Sequence, residues 1–249
     1  MHLKGDHQIV IVIVVFFLGF ALRGVIETEQ VPLSELVAGL VTILAVYMGA
    51  SYAFRLQNEK AEKELVKKQI ETSNRTIYTV YDIWNVQKQY QKEIVLPYKE
   101  KDDAWLNMSP TVKGMHEIIK VDTSNLDFLL SSGKPDIYVN LLLEEKRYRI
   151  LLSLIEERSK LIFEDLNPKM ESFGCKPGIA VDQDKLEEHL GPDLINKLKK
   201  LTDAIISHVE ENTASLEELH TNLQDYLTEI HPNENFITVQ FTLDDEVQT

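Results

Sequence analysis

The sequence predicts an all-α chain: an N-terminal two-helix transmembrane hairpin, then a cytoplasmic helical bundle, with a short strand at the C-terminus. Three observations lead there. Two dense apolar segments fall within the first 54 residues. Two long runs further on repeat apolar residues in steps of three and four, and the end of the chain alternates apolar with polar residues.

The first apolar segment, about 8–26, is unbroken from Ile9 to Leu22 and then meets Arg23. Its length matches a hydrocarbon core of about 30 Å at about 1.5 Å rise per residue. A cleaved signal sequence would need small residues after the apolar run, and "GFALRGVIE" places Leu and Arg there instead. The second segment, 33–54, carries a single charge, Glu35, near its start. The loop between them holds Glu27, Glu29 and Pro32 but no Lys or Arg, whereas Arg55, Lys60, Lys63, Lys67, Lys68 and Arg75 follow the second segment. Basic flanks stay on the cytoplasmic side. The hairpin, 1–54, is therefore expected to span a membrane with both termini cytoplasmic and Pro32 at its outer tip.

Two features of the hairpin are candidates for function. Arg23 near the outer leaflet either snorkels to the headgroups or lines a polar path, pairing with Glu27 one turn on. Ala45, Gly49 and Ala53 recur every four residues, echoed by Ala38 and Thr42. Small residues at that spacing let helices approach closely in lipid, either within one hairpin or between hairpins of a homo-oligomer.

Residues 55–96 read as a helical stalk entering the bundle. Glu59–Lys63, Glu64–Lys68 and Glu71–Arg75 are spaced as i,i+4 pairs, and a stripe of Ile70, Ile77, Val80, Tyr81, Trp84 and Ile94 follows, ended by Pro97. The bundle proper spans 97–234. Ser109-Pro110 is expected to open a brief helix carrying Val112, Met115 and Ile119, and "DTSNLDFLLSSG" a further helical turn. One long helix should run from Pro135 to about Leu166, where Asn167-Pro168 stops it. Asp184 and Glu187 resemble a capping box before Gly191, and a second long helix should run from Pro192 to about Ile230. In the tail, 235–249, Ile237, Val239, Phe241 and Leu243 fall on one side of a strand, with Thr238, Gln240 and Thr242 on the other. A lone strand needs a partner, either "GIAV" around Ile179 or another chain.

Charge narrows the function further. The chain carries −14, and residues 166–249 alone hold six Lys against seventeen Asp and Glu. Nucleic-acid affinity comes mainly from neutralising phosphates, so no direct nucleic-acid binding is expected, and a basic cytoplasmic protein is the more natural partner. Cys175 is the only cysteine, which leaves it a loop thiol and excludes multi-cysteine zinc sites. No phosphate-binding GxxxxGK[ST], GxSxG or HExxH motif occurs. Glu217 and His220 form one ExxH, but di-iron bundles need two with further inward carboxylates, so both are expected at the surface, as are His208 and Glu211. Trp84, Trp105 and Tyr98 are expected in the core or an interface. The expectation is a non-enzymatic protein without cofactor or metal.

The hairpin (Ile9 to Phe54), the charged stalk and the helical remainder together resemble the two-transmembrane effectors of bacterial antiphage defence, including those encoded beside retron reverse transcriptases. The likeness is one of layout. It implies a multi-pass protein of a bacterial inner membrane, a toxin-like effector held inactive by partners. It also implies a reverse transcriptase complex with its RNA-linked DNA, met through protein contacts. The alternative is a membrane-anchored scaffold or regulator that recruits a cytoplasmic partner.

Overall fold

The computed structural model describes residues 19, 33–111, 118–131, 133–174, 183–239 and 241. The described residues are helical or irregular, and none is a strand. The chain divides into two units, Met1–Val66 and Lys67–Thr249.

In the first unit, helix α1 (Leu33–Tyr90) begins. Of the first apolar segment only Gly19 is described, and it is helical. Arg23 and the loop with Pro32 lie outside the described residues. The expected second segment is helical throughout. The helical stretch Val37–Val95 is the one among the described residues long and apolar enough to cross a membrane, with a window of mean hydropathy 1.8 and none of it buried.

The stalk pairs form with the opposite polarity to that expected. Arg55 reaches Glu59 at 2.9 Å and Lys60 reaches Glu64 at 4.0 Å. In the second unit, Lys67 reaches Glu71 at 3.8 Å, while Arg75 leaves the helix to bond Asp122 at 3.1 Å. On a fully solvated helix each Glu has a cation one turn away on both sides, and the two choices differ by only a few tenths of a kcal/mol.

The second unit is a bundle of the end of α1, α4 (Pro135–Leu161) and α7 (Pro192–Ile230). Side-chain bonds mark the relative directions of the chain segments. Trp84 of α1 pairs with Glu217 and Lys99, in the turn beyond α1, with Glu210, while Arg147 meets Ser215 and Arg158 meets Thr202. The α7 residue falls as its partner's number rises, so α7 runs antiparallel to both. Ile77, Val80, Ile83 and Trp84 of α1 pack with Leu141 and Tyr148 of α4 and with Leu216, Leu219 and Leu223 of α7. Beyond Tyr90 the third layer comes from Val95 and Met108, packed on Leu151, Ile155, Ile205 and Val209. At the far end Trp105 and α6 (Gln183–Leu190) cover the start of α7.

Prolines shape the helix ends. Pro97 follows a π-helical turn, Gln91–Val95, in which Leu96 N–H bonds the Gln91 carbonyl at 2.9 Å. Asn167-Pro168 does not stop α4 as expected. A second π-helical turn, Ile162–Leu166, leads directly into α5 (Asn167–Ser172). Pro168 is the second residue of α5, just after the π-helical turn, so the helical path accommodates its missing N–H there. The helical path ends instead at Gly174, whose φ of 84° suits glycine. Gly191 (φ 83°) closes α6 through a 3.0 Å bond to the Glu187 carbonyl and precedes Pro192, the first residue of α7. Asp184 lies inside α6 rather than at its cap, because the helix already includes Gln183.

Two short helices complete the unit, α2 (Ala104–Asn107), which the periodicity did not suggest, and α3 (Asp127–Ser131), which matches the expected turn. The helix expected after Ser109-Pro110 does not extend to Ile119, since residues 118–120 are irregular. Val112 and Met115 lie outside the described residues, as do Cys175 and Ile179.

Candidate functional site

The first unit presents an open apolar helix surface. Ala45, Gly49 and Ala53 are all exposed, and a Cβ added at Gly49 would meet nothing within 4 Å. Val46, Met48, Tyr52 and Phe54 are likewise exposed. Thr42 satisfies its hydroxyl by donating to the Ala38 carbonyl at 2.8 Å, so the upper end of the small-residue face offers no free donor. Exposed apolar surface of this extent commonly marks contact with lipid or with another protein.

The second unit holds a groove between α1 and α7, occupied by the chain's own tail. Residues 235–239 are irregular where the strand was expected, and side-chain amides clamp this segment. Ile237 N–H donates to Asn74 Oδ1 at 2.9 Å. Gln224 Nε2 donates to the Ile237 carbonyl at 3.5 Å and to Thr238 Oγ1 at 3.3 Å. Backbone groups that a sheet would have paired are met by Asn and Gln instead. The facing pattern also differs from the expected alternation. Phe236, Val239 and Phe241 pack on the core, while Ile237 is 43% exposed. Two convex helices select residues by ring fit, not by the period of a pleat. Leu243 lies outside the described residues.

Phe241 anchors the tail. Its ring meets Trp84 edge-on at 4.7 Å, His220 edge-on at 4.5 Å and Tyr81 at 6.0 Å. Trp84 donates its indole N–H to Glu217 Oε1 at 2.9 Å. Glu217 and His220 are thus not the free surface pair the sequence suggested. His220 is 2% exposed, because position 220 falls on the same face of α7 as Leu216 and Leu223. Burial pushes its pKa below the ordinary histidine value.

Sequence reasoning missed the buried polar groups on α4. Arg158 is 1% exposed and donates to the Met108 carbonyl at 2.7 Å, the Trp105 carbonyl at 3.3 Å and Thr202 Oγ1 at 2.9 Å. Burial lowers its pKa to about 10. The signal was present, since Leu151, Ile155, Arg158 and Ile162 share one helical stripe. Glu144 is also buried and accepts Ser215 Oγ at 2.6 Å, and Glu145 accepts Val121 N–H at 3.2 Å. Burial and the Asp82 carboxylate push the Tyr148 hydroxyl up to about 12. Arg158 and Glu145 brace neighbouring segments against α4, and Glu144 ties α4 to α7. Among the described residues, no three His, Cys, Asp or Glu side chains gather as metal ligands. Trp84 and Trp105 are buried, and Tyr98 is half-buried against the core.

No family model, curated protein or solved structure matches the chain.

Proposed function

We propose that the chain is a non-enzymatic, multi-pass protein of a bacterial inner membrane. In this reading its two-helix hairpin perturbs the membrane when a cytoplasmic partner ceases to restrain it, as a toxin-like effector of antiviral defence. The observation that carries the reading is the apolar helix surface of α1, of which nothing is buried across a membrane-length window. Small residues Ala45, Gly49 and Ala53 on that helix support close helix pairing in lipid. Both termini and the bundle then face the cytoplasm, where the acidic distal half suits a basic protein surface, such as that of a reverse transcriptase complex.

Inducible expression tests this. Loss of membrane potential with growth arrest is expected, alone or when the partner is disturbed, and Arg23→Leu or Gly49→Leu should relieve it while the protein stays in the membrane fraction. Intact potential under every such trigger would remove the effector reading. Topology is tested separately through Cys175, which an impermeant maleimide should label only once the inner membrane is opened.

A second reading, a membrane-anchored scaffold, draws support from the tail groove. Asn74 and Gln224 grip a backbone whose Ile237 side chain points outward, which suits recruitment of an extended peptide. In that case the potential stays intact while deletion of 236–249 alters which proteins co-purify.

A further inference from the structure

The start of α4 and the last third of α7 face each other across a hollow of about 320 Å³. Small-ligand sites begin at roughly that size, about 300 Å³. The antiparallel pairing that sets Arg147 against Ser215 brings residues 134–140 level with residues 219–229. Asp136 lines the hollow from α4, and Asp225 and Glu229, one turn apart, line it from α7. None of the three carboxylates has an ion-pair or hydrogen-bond partner among the described residues. The side-chain amides of Asn140 and Asn222, which also line it, are equally unbonded there. Elsewhere along the same seam the acids are matched. Glu157 meets Lys197 at 3.9 Å, and Glu144 accepts a bond from Ser215 at 2.6 Å.

Tyr226 supplies an independent sign of a ligand. It is 6% exposed and lines the same hollow, and its buried hydroxyl has no hydrogen-bond partner among the described residues. A buried hydroxyl left unpaired is a cost the fold carries until a partner meets it. The charges also say what kind of ligand fits. Three carboxylates against Lys134, which shares the hollow, leave a net charge of −2. Those carboxylates are divided between two helices, and no three metal-ligating side chains gather among the described residues. A compact divalent ion needs its oxygens to converge, whereas a ligand with two separated charges does not. Buried Ile137 and Leu219 give the hollow apolar wall as well.

We propose that this hollow binds an extended organic dication, an aliphatic diamine or polyamine. One ammonium group is held by Asp225 and Glu229 of α7 and the other by Asp136 of α4. The methylenes between them lie on Ile137 and Leu219, and the Tyr226 hydroxyl gains a donor. Charge and spacing are then matched together, which is what gives such a site its selectivity. The site lies wholly within the second unit and is independent of whether the hairpin perturbs the membrane.

Calorimetric titration of the purified full chain at physiological ionic strength tests this, with putrescine and spermidine as probes. Saturable binding at one site per chain is expected. Butylamine, which carries one charge, should bind at least about tenfold more weakly. Asp136→Asn and Asp225→Asn should each weaken diamine binding by at least about tenfold, whereas Asp203→Asn, exposed elsewhere on α7, should leave it unchanged. Tyr226→Phe should weaken binding without lowering the melting temperature of the free chain, since it removes an unpaired hydroxyl. No saturable binding of either probe, or equal binding of putrescine and butylamine, overturns the proposal. So does binding that Asp203→Asn weakens as much as Asp225→Asn, which marks diffuse attraction to an acidic chain. Displacement of putrescine by an equal concentration of Mg²⁺ overturns it in favour of a metal. A tetra-arginine peptide that binds where the amines do not overturns it in favour of a basic protein partner.

Discussion

Replacing Phe241 with Ala should release the tail from its groove without unfolding the bundle. The ring is half-buried and makes two close edge-on contacts, at 4.7 Å to Trp84 and 4.5 Å to His220. Half the burial of a Phe contributes roughly 1 kcal/mol, and each aromatic pair about 0.5–1.5 kcal/mol beyond that. The sum, about 2–4 kcal/mol, corresponds to an undocking equilibrium shifted by roughly thirty- to a thousand-fold. The Ile237 amide is the reporter, because its hydrogen bond to Asn74 exists only when the tail is docked. Hydrogen exchange on the full chain should show that amide losing protection by this factor, while core amides of α4 keep theirs. An Ile237 amide exchanging at the wild-type rate would refute the claim that Phe241 holds the tail.

Tail docking should also weaken in acid. At neutral pH and above, His220 is uncharged whether the groove is closed or open, so it imposes no cost. As pH falls below about 6.5, the exposed imidazole takes up its proton before the buried one, whose pKa burial has lowered. Stability therefore drops as pH falls through the depressed value, and Ile237 exchange should rise over that window in the wild type but stay flat in His220→Phe. Arg158→Met leaves two carbonyls and the Thr202 hydroxyl without their buried donor. A loss of about 2–4 kcal/mol is expected, lowering the melting temperature by roughly 5–15 °C, and an unchanged melt would show that the network contributes nothing. Gly191→Ala meets no neighbour within 4 Å, so its cost is the backbone conformation alone (φ 83°, ψ 148°), about 1–3 kcal/mol, read from the same melt.

Much of the helical framework is legible in the chain. The bounds of α7 follow from Gly191-Pro192 at one end and His231-Pro232 at the other, and its core positions Leu194 through Leu227 keep helical spacing throughout. The tail was not legible in the same way. Alternation from Ile237 to Leu243 specifies a strand only if a sheet edge is available, and in its place Asn74 and Gln224 meet the backbone. His220 was misplaced because a motif was weighed ahead of its position on the helix. The same oversight hid Arg158.

By itself, then, the sequence determined the all-helical character, the two long bundle helices and an apolar stretch of membrane length in α1. Each depends on local period, on prolines and glycines, or on summed apolarity, and these act over a few turns of the same segment. Only the tertiary structure decided that Arg158, Glu144 and His220 lie inside, that a π-helical turn carries the helical path on through Pro168, and that Phe241 locks the tail between α1 and α7. Those outcomes depend on what stands opposite a side chain once distant segments pack: a carbonyl for a guanidinium, an amide for a bare backbone, a ring for a ring. Period and composition carry no record of that partner.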